Sequence, residues 1–285
     1  TVRADVTTDA ADPSVAAVGT TRVQFVNRVA VVGASGRMGQ AVVTAINSAD
    51  DLRLVARIDQ VESPGQAPLF TSFATALEDT RPDVIVDFSI ADATAHHALA
   101  ALEAGVSPVI GTTGMSDKQV QAIRVLAATK SLGAFVAPNF AIGAVLMMHM
   151  AKLAAPHMDN VEIIELHHHR KVDAPSGTAA RTVDLIMDAR DGRPACDSAT
   201  DTFTLEGVRG GVRGGVRVHS VRLPGLVAHQ EVIFGGEGQT LTIRHDSTSR
   251  TSFMPGVLLA VRRVRHLHKL VVGLEHLLMT SKDEG

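Results

Sequence analysis

The chain has 285 residues, 45% of them hydrophobic and 20% charged, with a formal net charge of −3. That is room for one large or two ordinary domains, without the cation excess that would make nucleic acid the default partner. The single cysteine, Cys196, excludes an internal disulfide framework and a multi-cysteine zinc site, and fits a reducing, cytoplasmic setting.

No apolar run reaches the roughly 18 to 20 residues that span a bilayer, so no membrane role is expected. Residues 1–27 lack the basic start and apolar centre of a secretory signal and read as a poorly ordered arm. VAVVG (residues 29–33) is a continuous apolar run, the pattern of a strand buried on both faces. GASGRMG follows, and then a helical pattern with Met38, Val42, Ala45 and Ile46 on one face. LRLVARI is a second strand, closed by Asp59. VIVDFS is a third, and ATAHHALAALEAG is a helix stopped by Gly105. SPVIGTTG and GAFVAPNF each put a short apolar run before a turn. This alternation predicts an α/β fold with a Rossmann-like, doubly wound parallel sheet.

The rhythm changes after about residue 140. A long apolar helix (AIGAVLMMHMAKLAAPHM), a strand (VEIIELHHH) and an amphipathic helix (TAARTVDLIMDAR) come next. GVRGGVRGGVR is a short local repeat, expected as a loop. VHSVRLPGLVAHQEVIF, GGEGQ and TLTIRHDS read as strands with a hairpin-like connection, and PGVLLAVRRV is a closing helix. A second, α+β domain with a mostly antiparallel or mixed sheet is expected. The division is an arm at 1–27, a dinucleotide-binding domain at 28–139, a substrate-binding and oligomerisation domain at 140–252, and a C-terminal helical segment at 253–285.

Gly33, Gly36 and Gly39 lie at a strand-to-helix turn, where backbone amides and the helix dipole favour a pyrophosphate and the absence of Cβ lets it approach. Asp59 stands 20 residues after Gly39, where an acid meets an adenosine ribose. Gln60, not a cation, follows it, which favours NADH or dual use, although Arg37 lies in the loop.

ELHHHRKVDAPSGTAA is the other unusual stretch. Extended backbone places His167 and His169 on one face and His168 on the other, with Lys171 joining the first pair. A metal there would need a third ligand and would share its site with a lysine cation, so none is expected. The run is internal and too short for a tag, and no G-x-S-x-G elbow supports a hydrolase. Recognition of an anion together with acid–base chemistry fits best: histidine titrates near neutrality, Lys171 brings a point charge, and Ser176, Gly177 and Thr178 open a helix N-terminus. Asp173 is expected to hold the turn or pair with Lys171.

This stretch closely resembles the signature of the 4-hydroxy-tetrahydrodipicolinate reductase (dihydrodipicolinate reductase) family. GASGRMG, VDFS, GTTG, APNFAIGAVLMM, VRLPGLVAHQEVIFG, LTIRHDS and SFMPGVLLAVR agree in order, from about residue 28 to about residue 277. The resemblance implies NAD(P)H-dependent reduction of a cyclic imine dicarboxylate with loss of water, in the diaminopimelate route to lysine. It further implies a homotetramer built through the second-domain sheets, and a C-terminal helix that returns to the nucleotide domain. Gly33, Ala34, Ser35, Gly36, Arg37 and Met38 would meet the cofactor phosphates and Asp59 the ribose. Phe88, Gly111, Thr112, Thr113, Ala137, Pro138, Asn139 and Phe140 would line the nicotinamide side. His167 matches the proton donor/acceptor and Lys171 a second proton donor, while His168, Ser176, Gly177 and Thr178 face the substrate. His169 and Arg170 fall at the variable positions of His-His-x-x-Lys.

Two rivals remain open on these residues. A different small-molecule dehydrogenase of similar fold would lack His-His-x-x-Lys followed by Asp-Ala-Pro-Ser-Gly-Thr. A nucleotide-binding redox sensor without turnover should have lost His167 or Lys171.

Overall fold

The computed structural model describes residues 26–191, 193 and 204–279. Residues 1–25 of the expected arm therefore lie outside the described residues, as does Cys196. The chain opens with β1 (Asn27–Val32), α1 (Arg37–Asn47), β2 (Leu52–Ile58), β3 (Leu69–Phe70) and α2 (Phe73–Thr80). It continues through β4 (Val84–Asp87), α3 (Ala91–Glu103), β5 (Ser107–Ile110), α4 (Asp117–Lys130) and β6 (Ala134–Val136). Then come α5 (Ile142–Ala154), β7 (Asn160–His167), α6 (Gly177–Ala189), β8 (Gly211–Arg213), β9 (Val216–Arg222), β10 (Ala228–Gly236) and β11 (Gln239–Ser247). Last are α7 (Met254–Val264), β12 (Leu270–Val272) and α8 (Glu275–Leu278).

One sheet has the order β12-β6-β5-β4-β1-β2-β3, and every pairing in it is parallel. Its middle strands are mostly apolar and buried along most of their length because both faces are covered. Val29 and Val31 point into the cluster shared with α1 and α7, while Ala30 and Val32 point into a second cluster with Ala76 and Leu77 of α2. The Rossmann-like expectation is borne out. The chain also returns to this sheet: α7 covers one face through Val257, Ala260, Val261 and Val264, and β12 adds an edge strand beside β6. That short strand carries little pattern of its own in the sequence.

The second sheet is mixed, with order β11-β10-β7-β9-β8. Strand β7 pairs antiparallel with β10 and parallel with β9. Helices α5 and α6 cover one face, where Val161, Ile163, Val232 and Phe234 are fully buried. The glycine-rich repeat differs from the loop expected of it. Its second half is a hairpin in which Arg213 of β8 pairs with Val216 of β9 across Gly214 and Gly215. Both glycines have positive φ, +55° and +84°, the two-residue turn whose twist matches paired strands and which side chains resist. Among the described residues, no helix is long and apolar enough to cross a membrane.

Candidate active site

The carboxyl ends of the parallel strands form a crevice where the strand order reverses between β1 and β4, the usual ligand position in such sheets. Gly33 follows β1 with φ +73°, and a Cβ there would fall 2.8 Å from the Phe88 carbonyl oxygen. Gly39 packs α1 onto the loop so closely that a Cβ would sit 2.0 Å from the Gly33 oxygen. Gly36 begins α1 and offers no side chain to cap it, which leaves first-turn amides facing outward for an anion. Arg37 is exposed at this turn, Met38 half-buried and Ala34 buried.

Asp59, just past β2, accepts from the Ser35 amide at 2.9 Å and from the Val61 amide at 3.1 Å, so it braces the glycine loop from the side. Arg57 turns away and is buried, donating to the Ala67 and Ser63 carbonyls at 2.9 and 2.6 Å; it shapes the loop after Asp59. Farther along the edge the Phe88 ring lies over Gly111, where a Cβ would be 2.1 Å from it, and 5.8 Å from the Phe140 ring. Thr112 donates to the Asp87 carbonyl at 3.3 Å. Thr113 and Pro138 are exposed, and Ala137 is buried at the end of β6. A glycine-lined turn, an uncapped helix and an acid beyond the second strand fit a nicotinamide dinucleotide.

The helix-covered face of the second sheet changes from apolar to polar toward this crevice. Side chains alternate along β7, so Val161, Ile163, Glu165 and His167 point inward together. The pairing register sets Ser220, Glu165, Gln230 and His245 in one row across β9, β7, β10 and β11. The next row holds Arg222, His167, Ala228 and Ser247.

Glu165 is fully buried, and its Oε2 lies 2.5 Å from His167 Nδ1. Arg222 grips both carboxylate oxygens at 2.7 and 2.9 Å, and the Ser176 amide donates to Oε1 at 3.3 Å. Burial alone would raise the Glu165 pKa, but hydrogen bonds from His167, Arg222 and Ser220 outweigh it and hold the group at about 2. The carboxylate is therefore ionised at neutral pH and fixes the His167 ring with Nδ1 toward the protein.

The strand stops at His167, two residues short of the predicted VEIIELHHH strand. The Lys171 amide turns back to the His168 carbonyl at 3.0 Å, so the alternation expected to align His169 and Lys171 with His167 is lost. His168 Nδ1 is buried without a hydrogen-bond partner among the described residues. Burial, then the neighbouring His167, His169, Lys171 and Arg250, push its pKa down. Lys171 Nζ binds the Asp173 carboxylate at 2.8 and 2.9 Å, the pairing anticipated from the sequence.

Ser176 caps α6 by accepting from the Ala179 amide at 3.2 Å and is almost fully buried. The amides of Gly177 and Thr178 are the first two of that helix, and a Cβ on Gly177 would meet nothing within 4 Å. Between the starts of α5 and α6 and the second sheet lies a small cleft that brings together Asn139, His167, Ser176 and Thr178. Asn139 spans it, its Nδ2 donating to Thr178 Oγ1 at 3.2 Å and its Oδ1 accepting from the Ala141 amide at 2.8 Å. The uncapped N-terminus of α5 also opens here, through Ala141 and Ala144. His168 and Lys171 stand on the adjoining loop, outside the residues that line this cleft. Glu165, Arg222, Gln230 and His245 were not singled out from the sequence. Glu165 had a local signal, its place two residues before His167, whereas Arg222 joins it across 57 residues.

Comparison with known proteins agrees with this geometry. The family profiles described as dihydrodipicolinate reductase, N-terminus and C-terminus, match residues 27–140 and 143–278. The chain belongs to the dihydrodipicolinate reductase family. It is 48% identical over 262 residues to the 4-hydroxy-tetrahydrodipicolinate reductase of Geobacillus kaustophilus, covering 88% of this chain and 98% of the relative. The enzyme of that name from Moorella thermoacetica is 47% identical over 262 residues, 88% of this chain and 97% of the relative. A dipicolinate-bound dihydrodipicolinate reductase from Paenisporosarcina sp. has TM-score 0.83 and 43% identity, covering 88% of this chain and 98% of that one. Scyllo-inositol dehydrogenase from Lactobacillus casei, at TM-score 0.58 and 14% identity over 90% of this chain and 93% of its own, shares the fold alone.

Proposed function

We propose that this family member is the NAD(P)H-dependent oxidoreductase that converts 4-hydroxy-tetrahydrodipicolinate to tetrahydrodipicolinate with loss of water, in the diaminopimelate route of lysine biosynthesis. One observation carries the reading: the Glu165–His167 pair and the α6 N-terminus meet in a single cleft that abuts the nucleotide crevice at Asn139.

A cyclic dicarboxylate needs two anchored anions. The amides of Gly177 and Thr178, with His168, take one carboxylate, and the uncapped N-terminus of α5 adds a second positive end to the cleft. Ser176 contributes by holding the α6 turn in place. The glycine-loop residues Gly33 to Met38 take the pyrophosphate, Asp59 faces the adenosine ribose, and Phe88, Gly111, Thr112, Thr113 and the turn from Ala137 to Phe140 flank the nicotinamide. The bound nicotinamide supplies the hydride, and the protein orients it. His167 and Lys171 share the proton roles. With Nδ1 tied to Glu165, His167 presents Nε2 for proton transfer, and Glu165 stabilises the ring when it carries the proton. Lys171 reaches the site by exchanging Asp173 for a substrate carboxylate as the domains close about Asn139.

NADH or dual use is proposed from the Asp59–Gln60 pair. We further propose a cytoplasmic homotetramer in which the second-domain sheets pack together, since Ile164, Leu166 and Ile233 alternate with the inward residues and are only half-buried. The deciding test follows nicotinamide absorbance with enzymatically generated substrate and either cofactor. Rapid oxidation establishes the reductase. Tight cofactor binding without oxidation would replace it with the sensor reading.

A further inference from the structure

The row that contains Glu165 holds two polar groups with no part in the scheme above. Gln230 is 4% exposed, and its Nε2 donates to Thr182 Oγ1 at 2.8 Å. The Thr182 hydroxyl spends its own proton on the Thr178 carbonyl at 2.8 Å. Thr182 Oγ1 therefore accepts from Gln230, which settles which end of the amide faces it. Oε1 of Gln230 is left as a buried acceptor with no donor among the described residues, and native proteins rarely leave such an atom unsatisfied.

Directly opposite on β11 stands His245. Its ring packs on Gly143 at the start of α5, where a Cβ would fall 2.5 Å from Cδ2. Both side chains line the cleft with His167 and Thr178. Burial pushes the His245 pKa down, against the pull of Asp246 and with a small push from His229. The neutral ring then offers one N–H and one lone pair.

An oxygen anion does not suit this floor, because it would meet Gln230 Oε1 acceptor to acceptor. A hydroxyl suits both groups: it donates to Gln230 Oε1 and accepts from the imidazole N–H. We infer that Gln230 and His245 form a subsite for a hydroxyl group, and that they hold the ring hydroxyl of the substrate while the helix N-termini hold its carboxylates. The inference rests on the reductase reading and assigns these residues to specificity: they distinguish a hydroxylated ring from a flat dicarboxylate that lacks the hydroxyl. Water fits the same two bonds once the hydroxyl has departed.

The test compares the full-length parent with Gln230→Met and His245→Phe, which keep bulk and remove the hydrogen bonds. Two quantities are measured: KM for 4-hydroxy-tetrahydrodipicolinate, and Kd for dipicolinate by calorimetry. The expected result is a KM raised about tenfold in each variant, the loss of one buried hydrogen bond, with dipicolinate bound within about twofold of the parent. Equal weakening of both ligands would mark the pair as structural and overturn the inference, as would an unchanged KM. If Gln230→Met fails to fold, His245→Phe carries the same comparison. A parent that turns over, with variants unaffected, removes this inference alone. A parent that binds dipicolinate without turnover removes the reductase reading and this inference with it.

Discussion

Glu165 and His167 stand two residues apart on β7, face the same way, and meet with Oε2 2.5 Å from Nδ1. The contact gives the imidazole one orientation and one tautomer before any ligand arrives. Glu165→Gln keeps the shape and removes the charge. We expect kcat to fall by roughly 10²-fold, the usual scale of a disabled general acid–base, with cofactor affinity unchanged. Steady-state kinetics and a separate cofactor titration check both halves.

The same carboxylate makes folding sensitive to acid. Its pKa is lowered from the ordinary 4.5 to about 2 in the folded protein, so the folded state holds its proton more weakly than the unfolded chain does. The stability it contributes is complete above about pH 4.5 and is lost as pH falls toward 2. Denaturant midpoints across that window should drop in the parent, and the drop should be smaller in Glu165→Gln.

Lys171 is tied to Asp173 in this structure. Lys171→Ala should lower kcat by about 10²-fold or more and leave the melting temperature nearly unchanged, since an exposed ion pair is worth about 0–1 kcal/mol. An unimpaired rate in this variant would leave His167 as the proton donor by itself.

Gly39→Ala forces a Cβ to within 2.0 Å of the Gly33 carbonyl oxygen. The loop must shift, and overpacking of this kind costs about 1–3 kcal/mol. Weaker dinucleotide binding and a lower unfolding free energy should appear together in one variant.

Gly215 provides the contrasting case, far from the chemistry. Its φ of +84° closes the β8–β9 hairpin, so Gly215→Ala should destabilise by about 1 kcal/mol. Turnover should be unaffected.

The parallel sheet was legible because strands buried on both faces read as unbroken apolar runs, and its crevice because Gly33, Gly36, Gly39 and Asp59 lie close in the sequence. The strand end at His167 was not. Three histidines in a row fit extended backbone equally well wherever it stops, and the turn made by the Lys171 amide leaves no composition signal. Arg222, Gln230 and His245 escaped for a different reason. Each meets the β7 row only through strand register, which is set by pairings across tens of residues. Gly214 and Gly215 read as loop because glycine admits many backbone angles, whereas the angles they adopt make a tight turn. The short strands β3 and β12, of two and three residues, sit below any periodicity that a sequence can display.

The return of β12 to the edge of the first sheet has a consequence for how the molecule is made. On the ribosome, the strands that cradle the nucleotide emerge early, yet α7, which covers part of one of their faces, and β12, which completes their edge, are translated only after the second sheet. The nascent sheet therefore waits, with Val84 and Val86 of β4 without the cover that α7 will bring, until the second sheet has been synthesised. Birth order and architecture run in opposite directions here, and the nucleotide-binding unit is finished only when the segment beyond the second sheet docks.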